Sequence, residues 1–181
     1  MAYASWSVVF GEQPTAAKWN ILGTNDASFN NGTGIFGLYK NLLATDSNPY
    51  KFSVYRSGNQ TVTASTLTKV QLNAENFDTN SNFDSSTNYR YTAPVAGFYF
   101  VNGKIKNNGN NILATYIYKN GTLLREGNNL NPATNLSGGV VCDLIQLAAS
   151  DYIEMWVYSD NVTVTGGADV TYFSGFLVSR T

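Results

Sequence analysis

Residues 91–103, YTAPVAGFYFVNG, place a proline and a glycine inside a run that otherwise alternates apolar side chains, and the meaning of that interruption decides the fold. Pro94 cannot donate to a strand ladder and Gly97 marks a bend or a close backbone approach, so two structural segments meet between Tyr91 and Phe98. Outward from this point, everything from Lys51 to the end of the chain shows period-two patterning broken by Gly, Asn and Asp clusters, at the spacing of a sandwich or barrel. The pattern runs through FSVYRS (52–57), TVTASTLTKVQLN (61–73), residues 89–106, NILATYIYKNGTLLREG (111–127), residues 138–158 and VTYFSGFLVSR (170–180). In 152–158, Ile153, Met155 and Val157 share one face, while Tyr152, Glu154, Trp156 and Tyr158 share the other. The first face reads as dry and the second as aromatic and mixed. Lys119-Asn120-Gly121 is a hairpin signal of the Asn-Gly type.

Composition narrows the chemistry. The 181 residues suffice for one domain plus an appendage. Hydrophobic residues make up 43% and charged residues 13%, so the polar surface is built from Asn, Thr and Ser, as suits an all-β protein. Net charge is -1 with Lys and Arg dispersed, which removes the footprint of a nucleic-acid binder. The chain has no histidine, so Ser-His-Asp triads, Cys-His dyads and imidazole-held metals are excluded. Its one cysteine, Cys142, shares a side with Val140 and Leu144, opposite Val141 and Ile145, and is expected to be a buried structural thiol. The opening MAYASWSVVFG lacks a basic region, and its apolar run is too short for a signal peptide or a membrane span, so neither export nor membrane insertion is expected.

The first fifty residues differ in kind. In QPTAAKWNILGTN (13–25), Pro14 suits a first helical position, Thr15 to Leu22 contain no breaker and Gly23 is a left-handed stop. A helix of about two turns falls short of the roughly 12 to 15 residues needed in isolation, so it must pack on something. A loop follows, and then IFGLYKNLLA (35–44), where Ile35, Leu38, Tyr39 and Leu42 fall at helical spacing and suggest a second short helix. The boundary is set at residues 1–48 for an anchoring arm and 49–181 for the sheet domain. The arm carries Trp6, Phe10, Trp19, Ile21, Leu22, Phe29 and Ile35, more apolar surface than a solvated tail bears. Either these side chains fold back onto the sandwich, or they pack on copies of the chain or dock into a larger assembly.

The sheet domain resembles the complement C-one-q-like family, which is related in fold to tumour necrosis factor. YTAPVAGFYF carries that family's aromatic, Ala-Pro-x-x-Gly-x-Tyr-x-Phe element at Tyr91, Ala93, Pro94, Gly97 and Tyr99. FSVYRS resembles its opening strand, KVQLNAENFD the strand and loop that follow, and ATYIYKNG its hairpin. Leu147, Asp151 and Ile153 match Leu-x-x-Gly-Asp-x-Val, and Phe173, Gly175 and Leu177 match the closing strand. Val101 stands where the family usually has Phe, and Ser150 where it has Gly. The resemblance covers roughly residues 51–181. It implies a jelly roll of two antiparallel sheets, assembled as a homotrimer, in a family of binding modules rather than enzymes. The aromatic residues Tyr116, Tyr118, Trp156, Tyr158 and Tyr172 then become candidates for the trimer interface, or else belong to a wide core. The arm resembles segments near the N-termini of bacteriophage tail, fibre and virion proteins, centred on Ala17 to Asn20 and the 25–34 loop. That likeness implies an attachment device in which Trp6, Phe10, Pro14, Trp19, Asn20, Ile21, Leu22, Phe29 and Ile35 form the anchor.

No spacing among the acidic residues selects a catalytic pair. NFDTNSNFD (76–84) concentrates oxygen ligands, and Asp78, Asn80 and Asp84 are candidates for calcium, against the plainer reading of an Asn-rich turn. No other cofactor is indicated. The leading functional expectation is a structural protein of a phage virion, a trimeric capsid decoration or head-fibre knob assembled in the host cytoplasm. Its arm would be held by a capsid, neck or tail component. The alternatives are a tail-fibre knob that binds a host glycan or surface protein, and a cellular adhesin or lectin-like module.

Overall fold

In the computed structural model, residues 50–108, 112–130, 138–160 and 163–181 are described, with 129 and 130 as backbone only. The chain divides at Ser47/Asn48, and every described residue belongs to the second unit. The two expected helices and the nine anchor residues of the arm lie outside the described residues.

Alternation makes strands here because one side chain in two finds a dry interior. The strands are β1 (Lys51–Tyr55), β2 (Gln60–Thr61), β3 (Thr68–Lys69), β4 (Ala74–Asp78), β5 (Phe83–Asp84), β6 (Arg90–Thr92), β7 (Gly97–Lys106), β8 (Leu113–Lys119), β9 (Thr122–Leu130), β10 (Gly138–Leu147), β11 (Tyr152–Ser159), β12 (Thr163–Val164) and β13 (Tyr172–Arg180). No helix occurs among the described residues. One sheet has the order β10-β7-β13-β1-β4; the other runs β5-β6-β11-β8-β9 with β3 also on β11; a small ribbon pairs β12 with β2. Every pairing is antiparallel. The all-β jelly-roll expectation is met.

The Pro94 interruption is the point at which the chain changes sheets. β6 ends at Thr92 in the six-stranded sheet and β7 opens at Gly97 in the five-stranded one. Ala93 is tied at both backbone groups, donating to Asp151 O at 2.8 Å and accepting from Ser150 N–H at 2.8 Å. Gly97 is required by space, since a Cβ there would lie 2.4 Å from Ser179 O and 2.5 Å from Leu177 Cδ1. Tyr91 therefore comes from one sheet and Tyr99 from the other, and their rings meet at 5.9 Å in the core. Burial pushes both phenols above their ordinary pKa, so both stay neutral.

The interior is centred on Phe52, whose ring stacks on Tyr91 at 4.4 Å and Phe83 at 5.8 Å and meets Phe173 edge-on at 5.2 Å. Phe52 and Phe173 belong to the five-stranded sheet, Tyr91 and Phe83 to the six-stranded one, so this aromatic cluster joins the layers. Ile153, Met155 and Val157 are fully buried, as the alternation of 152–158 implies. Both open sides are closed by side-chain bonds. Asp78 Oδ2 accepts from Phe83 N–H at 2.7 Å at one seam. At the other, Asn128 Oδ1 accepts from Val140 N–H and Arg125 pairs with Asp143.

Two local differences from the sequence reading have physical causes. Residues 61–73 do not form one strand: Ser65 has φ 55°, and only β2 and β3 pair. The buried Gln60 side chain stands in for a partner strand, donating to Lys69 O and accepting from Gln71 N–H, both at 2.8 Å. Cys142 is exposed, not buried. β10 carries large apolar side chains on both faces, with Asp143 on the face of Val141 and Ile145, so alternation grouped Cys142 correctly with Val140 and Leu144 without fixing which face is inward; Val141, Ile145 and Leu147 hold that place.

Ser150 sits at φ 72° in the left-handed region. A left-handed residue with a Cβ costs about 1–2 kcal/mol, whereas glycine's extra unfolded-state freedom costs about 0.4–1 kcal/mol. Ser150→Gly is accordingly expected to raise stability by about 0.5–1 kcal/mol in urea unfolding; an unchanged or lower midpoint would show that the serine is unstrained there.

Candidate interaction surfaces

The outward positions of the five-stranded sheet follow from its register. Phe100 on β7 lies between Leu144 of β10 and Phe176 of β13. The Phe100 and Phe176 rings are 5.9 Å apart. Phe98, Val178, Val140 and Cys142 extend this face, and its large apolar members are 36–53% exposed. Apolar side chains standing together on a sheet's outer face are the pattern of a sheet covered on both sides. The signal was available in FYFV, where Phe98 and Phe100 alternate with the equally apolar Tyr99 and Val101.

The five aromatic candidates do not form one surface. Tyr116, Tyr118, Trp156 and Tyr158 stand together on the outer face of the six-stranded sheet, where Trp156 is opposite Tyr116 and Glu154 opposite Tyr118. Tyr172 stands on the outer face of the other sheet, opposite Lys104 and Tyr55. The four are half-buried within the subunit itself. Trp156 stacks on Tyr118 at 4.8 Å, has the Lys69 ammonium 5.7 Å from its ring centroid and donates Nε1–H to Glu154 at 3.0 Å. Glu154 is the one buried carboxylate among the described residues, and Lys69 meets it at 2.6 Å. This is a locked structural group: the carboxylate has a cation and an indole donor as partners, and the indole is held on both sides.

The acidic loop is also committed internally. Asp84 accepts from Thr87 N–H at 2.8 Å, Ser86 N–H at 3.0 Å, Asn88 N–H at 3.1 Å and Asn88 Nδ2 at 2.7 Å. The Thr87 and Ser86 amides above all hold its carboxyl well below the usual range. Asp78 accepts from Phe83 and Asn80 amides, and Asn80 donates to Asn82. Asp78, Asn80 and Asp84 thus serve as turn caps. No group of three or more Cys, Asp or Glu among the described residues could hold a metal ion.

At the opposite turn of this sheet, Asn120 and Gly121 make the expected two-residue hairpin with φ 51° and 78°. Asp151 there accepts from Lys119 at 2.9 Å, Asn120 at 2.7 Å and Ala148 N–H at 2.8 Å. Lys119 first, then Asn120, lower its pKa to about 2.

No family model and no curated protein matches the chain. Solved structures do. The globular domain of zebrafish complement 1qA protein is 18% identical, covering 73% of this chain and 99% of its own, with a TM-score of 0.54. The Eiger TNF of S. frugiperda is 8% identical over 73% of this chain and 95% of its own, with a TM-score of 0.52. Murine APRIL is 9% identical over 71% and 98%, with a TM-score of 0.56. At these identities the likeness is one of fold, and the described unit is a jelly roll of the kind shared by complement 1q globular domains and tumour necrosis factors.

Proposed function

We propose that the protein is a non-enzymatic structural component of a bacteriophage particle, a homotrimeric capsid decoration or head-fibre knob held in place by residues 1–48. The observation that carries self-association is the exposed row Leu144, Phe100 and Phe176 on the five-stranded sheet. A threefold ring is heterologous, so away from the axis itself this face meets a different surface of the next subunit. The Tyr116, Tyr118, Trp156 and Tyr158 strip faces the other way, and two patches directed oppositely build open filaments rather than closed rings. The mating surface is therefore assigned to a sheet edge, and the strip is left outside the contact. The virion reading rests on the arm's resemblance to phage attachment segments. The chain enters the sandwich at Tyr50, whose carbonyl accepts from Leu177 N–H at 2.9 Å beside the closing strand.

Light scattering on the full chain is expected to give a trimer mass. Co-sedimentation with particles should follow, and a Trp19→Ala, Ile21→Ala double variant should stay trimeric but remain in the supernatant. A monomer, or a wild-type chain that never co-sediments, would sink this reading. Free protein that blocks adsorption to host cells would favour a receptor-binding knob instead.

A further inference from the structure

We infer that Asn120 is a latent deamidation site that the fold holds shut, and that reaction there unlatches the β8–β9 turn. Asn-Gly is the sequence in which the following amide nitrogen most easily reaches the asparagine side chain, because glycine places no Cβ in the way. The Gly121 nitrogen attacks Cγ of Asn120, the Cγ–Nδ2 bond breaks, and ammonia leaves with the proton from the attacking nitrogen. Water then opens the succinimide ring to aspartate or isoaspartate.

In the folded protein this attack requires the side chain to leave both of its partners. Asn120 Nδ2 donates to Asp151 Oδ1 at 2.7 Å and Oδ1 accepts from Tyr152 N–H at 2.9 Å. Asn120 N–H also donates to Tyr152 O at 3.0 Å, so the turn is fixed to β11 by backbone and side chain together. Asp151 is itself held by Lys119 and Ala148, which leaves the acceptor little freedom to follow a moving amide. The other described Asn-Gly pair, Asn102-Gly103, lies inside β7 with ladder partners on both sides and is closed by its strand.

The product cannot remake the latch. Aspartate at 120 would set a carboxylate oxygen where Nδ2 now lies, at hydrogen-bonding distance from Asp151, and two carboxylates so placed do not both ionise freely. Isoaspartate adds a methylene to the main chain and breaks the two-residue turn that fixes the β8–β9 register. Deamidation is therefore irreversible opening at this pole.

The test is peptide mass mapping of the full chain incubated at alkaline pH in native buffer and in urea. Asn120 conversion is expected to be slower by about tenfold or more in native buffer, since only locally opened molecules react. Asp151→Ala, in native buffer and with its circular dichroism checked, is expected to raise the rate severalfold towards that in urea, because one of the two side-chain partners is gone while the Tyr152 contacts remain. Equal rates for the wild type in the two buffers would overturn the inference, whether or not the variant folds. A folded Asp151→Ala protein that converts as slowly as the wild type would overturn the role given to the latch.

Discussion

Phe100→Asp is expected to convert the protein from trimer to monomer at concentrations where the wild type is fully assembled, without unfolding it. Phe100 already stands 39% exposed on the isolated subunit, so an aspartate there remains hydrated in the monomer. In the assembled state it would replace an aromatic anchor at the middle of the apolar row and bury a charge among Leu144 and Phe176. Losing a central anchor costs about 2 kcal/mol or more, and desolvating the carboxylate adds several more. Even a total of only about 4 kcal/mol amounts to roughly a thousandfold in the dissociation constant of each contact. Cys142 supplies an independent readout, because it is exposed on this same face two residues from Leu144. Alkylation should be slow in the wild type and fast in the variant. A variant that keeps the wild-type mass and thiol reactivity would place the subunit contact elsewhere and remove the main support for the proposed trimer.

The contrast between Phe100 and its neighbour Tyr99 shows how far sequence reasoning reaches. Alternation in 97–106 separates two sets of side chains correctly, and the break at Pro94 correctly divides β6 from β7. Phase was legible on β11, where Glu154 marks one face as the wetter, and Ile153, Met155 and Val157 are buried as expected. It was not legible on β10, because Val140, Cys142 and Leu144 are as apolar as Val141 and Ile145; only the position of the second sheet decides. Membership of a sheet is likewise a property of long-range pairing. Tyr172 and Tyr158 look equivalent in a list of aromatic side chains, yet β13 and β11 lie in different layers. The oxygen-rich run 76–84 offered a calcium candidate beside the plainer Asn-rich turn, and its carboxylates accept from amides of their own turns, a local geometry that composition does not specify. Gly97 was marked by the sequence as a point of close approach and is one, while Ser150 shows the reverse, a left-handed position that the residue type does not announce.

Phe52→Ala tests whether the aromatic cluster contributes more than the hydrogen-bonded seams to holding the two sheets together. Phe52 is 1% exposed and is the shared neighbour of Tyr91, Phe83 and Phe173. Removing it leaves a cavity between layers that are braced by backbone ladders within each sheet and cannot collapse freely, so the cost is expected at about 3–5 kcal/mol. Against a total stability of about 5–15 kcal/mol this is a large share, and melting should fall by roughly 10–20 °C. Asn128→Ala removes one acceptor at the β9–β10 seam and is expected to cost only about 1 kcal/mol, because hydrogen bonds replaced by water contribute modestly. Both variants must be compared at one protein concentration, since assembly stabilises the folded subunit by mass action. If Phe52→Ala cost less than Asn128→Ala, the sheets would be held at their edges, and the rings between them would merely fill space.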